Sequence, residues 1–218
     1  MIKKAKKHFI IGAILLLLFA LLTVTVKTVD VVAVGPEGSK IGLSGINTYF
    51  RDLIGVNMTV YEITDILGYL AIAVAGCFAI FGVYQLIKGK SIKAVDKNVL
   101  ILGGFFASVV CAYVLFEVVI INYRPIIMEG ELEASYPSSH TMLSIASLGA
   151  AIHQLAIRIS NKTLRVSAIS LCSVMMAVIV IGRLLSGVHW FTDIIAGALL
   201  ATSLLMFYIG SCEIFDKK

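Results

Sequence analysis

The 218-residue chain is 59% hydrophobic and 14% charged, with a mean hydropathy of +0.98 and a formal net charge of +5. Ordinary soluble domains carry about 25% charged residues, so this composition excludes one and points to a polytopic membrane protein. The positive charge is not gathered into a basic patch with interleaved aromatics, which argues against nucleic acid as a partner.

The first apolar run, about 9–26, follows "MIKKAKKH". That start resembles a signal peptide, but the run is longer than a signal core and "TVTVKTVDVV" offers no small-x-small cleavage site, so a retained anchor helix is expected. Residues 27–65 do not span. Within them Ile46, Tyr49, Phe50, Leu53, Ile54 and Val56 recur near helical spacing, which predicts an amphipathic helix on the outer surface. Its first role would be to cover the bundle; a second would be to shape a lateral entrance for a lipid. Further runs at about 66–87, 99–120, 141–157, 166–185 and 191–210 are each close to the roughly 20 residues that cross a bilayer core. The predicted fold class is therefore all-α, with six transmembrane helices in a single domain over 1–218.

The placement of Lys and Arg sets orientation. With the amino terminus inside, 13 of the 18 fall on inner segments, including Lys217 and Lys218, and only Lys27, Lys40, Arg51, Arg124 and Arg183 fall outside. Both termini are then cytoplasmic. The short Lys-rich start suggests a bacterial plasma membrane, and the "NMT" triplet at Asn57 carries little weight as a glycosylation signal. Cys77, Cys111, Cys172 and Cys212 lack CxxC spacing and read as packing residues rather than a disulfide framework or metal site.

Two polar stretches interrupt the outer ends of these runs, "SYPSSHT" (135–141) and "GRLLSGVHWFTD" (182–193). Pro125 and Pro137 mark breaks from helix to loop. Arg124, His140, Arg183, His189 and Asp193 thereby share one depth, where ionisable groups are costly and functional by default. Two guanidiniums suit a phosphate group, and histidine serves as nucleophile or proton donor near neutral pH. If the chain is helical from Phe191, Asp193 at i+4 can accept the Nδ1 proton of His189 and free Nε2 to attack. His140 closes "PSSH" ahead of the fourth run, where Ser138 or Ser139 can cap the helix and free N–H groups can cradle phosphate. His140 then becomes the general acid, with Arg124 and Arg183 holding phosphoryl charge. Trp190 reads as an aromatic-belt residue, and His153, Gln154 and Glu62 as structural or solvated.

"RP" at Arg124, "PSSH" at 137–140 and the R-x5-H-x3-D form of 183–193 resemble, in order and spacing, the three-part signature of the type 2 phosphatidic acid phosphatase superfamily. The match covers about 70 residues, within a motif-bearing core of about 117–197. The resemblance implies a metal-independent lipid phosphatase with no cofactor. The His189 position would form a phosphohistidine, and the Arg124, Ser138, Ser139, His140 and Arg183 positions would bind phosphate or donate a proton. An outward site suits a polyprenyl diphosphate, phosphatidic acid or phosphatidylglycerophosphate among the surrounding membrane lipids, with undecaprenyl diphosphate the favoured one of the three. Rival readings are an anionic-lipid transporter or scramblase and a non-catalytic lipid-binding relative.

The chain departs from the family pattern twice. Ser139 stands where glycine is usual, and Glu117 stands where the first motif usually has a lysine, seven residues before Arg124. Seven residues are nearly two helical turns. If the third spanning helix runs unbroken, Glu117 shares a face with Arg124 and either pairs with Arg124 or Arg183 as a clamp behind the phosphate site, the favoured reading, or marks a weak or inactive enzyme.

Overall fold

A computed structural model describes residues 2–215; Lys217 and Lys218 of the charge count lie outside them. The described chain forms seven helices, α1 (Ile2–Thr28), α2 (Ser44–Ile54), α3 (Met58–Gly89), α4 (Lys97–Val118), α5 (Ser139–Arg158), α6 (Lys162–Leu185) and α7 (Phe191–Phe215). Short 3-10 turns occur at Pro36–Gly38 and Ile92–Ala94, and a few isolated β-bridges lie in the loops.

The helices begin where a polar side chain can receive an amide left without an intrahelical partner. Asn57 caps α3 through Val60 N (3.1 Å), Asp96 caps α4 through Asn98 N (2.9 Å) and Asn161 caps α6 through Leu164 N (3.0 Å). Ser138 caps α5 by facing Thr141 N at 3.5 Å. Two boundaries differ from the apolar runs in ways that matter below. Because of the Asn57 cap, α3 starts at Met58 rather than at residue 66, so Asp65 is helical, and α4 ends at Val118 rather than continuing to 120.

Five helices, α1, α3, α4, α6 and α7, are long and apolar enough to cross a membrane. Their outer faces leave large apolar side chains uncovered, among them Val118, Ile80 and Leu171, each more than two-thirds exposed. Helix α5 is less apolar for a physical reason. It lies inside the bundle against α3, α6 and α7, where Ser144, Ser147, Gly149, Ala150, Ala151 and Gln154 are buried. Small and hydrogen-bonding residues serve helix packing there better than bulk does. Helix α1 packs along α7, where Ser203 Oγ donates to Gly12 O at 2.8 Å.

Helix α2 lies against the start of α7. Its polar Asn47 is fully buried: Oδ1 accepts from Thr192 N at 3.1 Å, while Nδ2 donates to Gly42 O and Thr192 Oγ1. Phe50 stacks on Phe191 with centroids 4.2 Å apart, whereas Ile46, Tyr49 and Leu53 point away, exposed. None of the four cysteines forms a disulfide.

Candidate active site

The start of α3, the end of α4, the start of α5, the end of α6 and the start of α7 converge at one end of the bundle. The α4–α5 connection supplies the first arginine. It folds back on itself around Glu129 and Gly130, both left-handed (φ 51° and 85°), a two-residue reversal that matches strand twist. Met128 and Glu131 then exchange backbone hydrogen bonds (3.1 and 2.8 Å), and Ser135 N reaches Asn122 O at 3.0 Å. Arg124 thus lies opposite Glu133: its N donates to Glu133 O at 3.0 Å and its Nε pairs with Glu133 Oε2 at 2.8 Å. The guanidinium is buried, and Nη1 lies 3.4 Å from His189 Nε2.

His189 lies in the α6–α7 loop rather than on a helix. That loop is fixed by Gly187 (φ 68°), where a side chain would collide with Gly55 O, and by Asn57 N donating to Ser186 O at 3.0 Å. Asp193 is the third residue of α7. Its Oδ2 reaches back to accept Trp190 N at 2.9 Å, half of a capping box, and Asn122 Nδ2 lies 3.4 Å from Oδ1. His189 Nδ1 faces Asp193 Oδ2 at 3.7 Å. Burial first, then the charges of Arg124 and Arg183, hold the His189 imidazole well below its ordinary pKa of 6.5, against a smaller opposing contribution from the Ser135 backbone. It is therefore a neutral base at physiological pH. Trp190 is buried, its Nε1 donating to Tyr123 O at 2.7 Å, so it braces the arginine loop rather than joining an aromatic belt.

On α5, Ser138 is buried, and its N–H donates to Asp193 O at 3.0 Å, joining the starts of α5 and α7. The next residues, Ser139 and His140, line a cavity of about 350 Å³ together with Arg124, Glu133 and His189. As first-turn amides of α5, their N–H groups have no intrahelical acceptor. The second arginine, Arg183, is fully buried at the end of α6 behind this cavity, with its guanidinium 4.6 Å from the Tyr61 ring.

Asp65 of α3, which was not among the candidates, lies between these groups. Its Oδ1 is 2.8 Å from His140 Nε2 and 2.6 Å from Arg183 Nη2. The signal for it was present in the sequence: it is a carboxylate at the edge of an apolar run, the kind of residue that membrane depth makes costly. Buried Arg183 Nε and Nη1, His140 Nδ1, Thr141 Oγ1 and Ser144 Oγ have no hydrogen-bond partner among the described residues.

The structure corrects the expectation for Glu117. It is exposed on the last turn of α4, lines the cavity and interacts with Tyr113; neither arginine pairs with it. The seven-residue register assumed continuous helix, but α4 stops at Val118 and the chain turns out of register before Arg124. The carboxylates behind the arginines are Glu133 and Asp65 instead. All the other sequence candidates, Arg124, Ser138, Ser139, His140, Arg183, His189 and Asp193, come together at this end.

A buried array of arginine and histidine around a polar cavity, at one end of a bundle of membrane-length helices, defines a class: an integral membrane protein equipped to hold an anionic group. The particular family follows from comparison. The family model described as PAP2 superfamily matches residues 118–212. The match runs from the end of α4 into the last turns of α7 and contains both histidines and both arginines, while Glu117 and Asp65 fall outside it. The crystal structure of the first transmembrane PAP2 type phosphatidylglycerolphosphate phosphatase, from Bacillus subtilis, shares the fold with a TM-score of 0.64 and 17% identity, over 95% of this chain and 97% of that one. Comparison with curated proteins gives no match.

Proposed function

We propose that the chain hydrolyses a lipid phosphate or diphosphate at the outer face of a bacterial plasma membrane through a phosphohistidine on His189. The observation that carries the reading is the neutral, buried His189 with Nε2 directed at Arg124 Nη1, beside the open first turn of α5. A phosphoryl group seated there meets a nucleophile, a guanidinium and helix amides at once. The sixth span is α5, both termini are cytoplasmic, and the exposed Ile46, Tyr49 and Leu53 of α2 rest in the membrane surface.

The His189 Nε2 lone pair attacks phosphorus, and the bond from phosphorus to the lipid oxygen breaks. His140 gives its proton to that oxygen, while Asp193 stabilises the Nδ1–H of the imidazolium that forms. Water then attacks the phosphohistidine, neutral His140 takes its proton, and phosphate leaves with His189 restored. Arg124 holds the phosphoryl oxygens directly, and Ser138 and Ser139 present the helix start. The guanidiniums and amides supply charge neutralisation, so the reaction proceeds without a divalent metal. Undecaprenyl diphosphate remains the favoured substrate for an outward-facing site, with phosphatidylglycerophosphate the alternative that the fold relative's name suggests.

The purified protein in detergent should release phosphate from a panel of these lipids, with orthovanadate inhibiting and chelator without effect. A labelled phosphoenzyme should accumulate in His140→Ala and never in His189→Ala. Wild-type turnover in His189→Ala, or a strict requirement for magnesium, would overturn the reading.

A further inference from the structure

We infer that Asp65 is a positioning residue for proton donation, the carboxylate of a second histidine–aspartate pair that holds His140 in the orientation and charge state the leaving group needs. The inference deepens the phosphatase reading and rests on it.

One oxygen, Asp65 Oδ1, receives both His140 Nε2 (2.8 Å) and Arg183 Nη2 (2.6 Å). The contact is built rather than incidental, because α3 comes close to both partners through absent side chains. A Cβ on Gly68 would lie 3.0 Å from His140 Cδ2, and one on Gly182 would lie 2.4 Å from Thr64 Cγ2. Fixing Nε2 on the carboxylate leaves buried Nδ1 as the ring nitrogen without a partner among the described residues, and His140 lines the cavity that His189 also lines. A carboxylate on one imidazole nitrogen favours the protonated ring, which opposes the charges that disfavour it. Burial disfavours it first, then Arg183 from α6, His189 ahead of α7 and Arg124 from the α4–α5 loop; Glu117 faces the same cavity from α4. Without Asp65, His140 would sit among cations with no anion in contact, and protonation of its ring would be disfavoured further. The alternative, that Asp65 merely occupies the phosphate position until substrate displaces it, predicts that its removal speeds the reaction.

The experiment uses the full chain in detergent and two probes that differ in leaving group, dioctanoyl phosphatidic acid (an alkoxide, which needs a proton) and 4-nitrophenyl phosphate (a stabilised phenolate, which does not). Asp65→Asn should lower kcat on phosphatidic acid by about tenfold to a hundredfold, the range of a general-acid contribution. On nitrophenyl phosphate it should lower kcat by less than about threefold, because the proton matters little there. The basic limb of the kcat profile on phosphatidic acid should move to lower pH, since His140 then loses its proton sooner. In a His140→Ala background Asp65→Asn should add no further leaving-group selectivity. If Asp65→Asn does not yield monodisperse protein, Asp65→Glu displaces the oxygen while keeping the charge and should show the same selective loss. Equal loss on both probes, an unmoved basic limb or a gain in turnover overturns the inference. A wild type inactive on both probes overturns the phosphatase reading instead.

Discussion

The two histidine–aspartate pairs invert what their sequence separations suggest. His189 and Asp193 are four residues apart, yet Nδ1 and Oδ2 stay 3.7 Å apart, whereas His140 and Asp65, on different helices, meet at 2.8 Å. The reason lies in what else each carboxylate holds. Asp193 Oδ2 is committed to the Trp190 amide that starts α7, and Asn122 approaches the other oxygen. Asp65 has no such cap to serve, so both its partners crowd one oxygen. The local carboxylate builds the loop that aims the nucleophile; the distant one holds the acid.

The largest effect should come from removing the nucleophile itself. His189→Ala should abolish turnover, a loss of about 10⁴-fold or more as in other covalent mechanisms, with phosphate release as the measurement; residual turnover within tenfold of wild type would remove the difference between the pairs. Next, Asp193→Asn keeps an oxygen for the Trp190 amide but loses the charge. Turnover should fall by about 10²–10⁴-fold, from lost tautomer control, while the melting temperature hardly moves. If both fall together, Asp193 is chiefly a structural cap.

Asn47→Ala tests how far the local pair depends on a neighbouring element. It leaves the buried Thr192 N–H without the acceptor it has at 3.1 Å, so stability should drop by about 1–3 kcal/mol, read from thermal melts. An unchanged melt would mean that α2 does not support the start of α7.

The charge state of His189 gives a pH prediction with a definite sign. Its folded pKa is depressed below 6.5, so the unfolded chain binds more protons as the pH falls through 6.5, and stability falls with it down to the folded pKa. The acid limb of kcat/KM should likewise lie below the ordinary imidazole range. Melts that are flat between neutral pH and moderate acid, together with an acid limb at the ordinary value, would place His189 in a solvated site.

The smallest effect belongs to Glu117. Exposed at the cavity and paired with neither arginine, it should act only through screened repulsion, so Glu117→Lys should raise kcat/KM by no more than about threefold, fading with salt. A gain of about tenfold, roughly 1.4 kcal/mol, would show that a phosphate-binding cation had been lost from this position.

The sequence by itself determined the parts whose physics is local. Apolar runs of bilayer length mark α1, α3, α4, α6 and α7 because lipid demands the same composition along each one. Ser138 marked a helix start because a cap acts on amides two or three residues away, whereas the caps at Asn57, Asp96 and Asn161 came only with the structure. The motif residues Arg124, His140, Arg183, His189 and Asp193 were legible because ionisable groups at membrane depth stand out from everything around them. Only the tertiary structure decided which carboxylate meets which cation. Glu117 missed Arg124 because α4 ends one residue later and the helical register is broken. Glu133 reached it through a chain reversal at Glu129 and Gly130, and Asp65 reached His140 and Arg183 because Gly68 and Gly182 let α3 lie close to α5 and α6. No period along the chain records such contacts, since they depend on how closely separate helices approach one another.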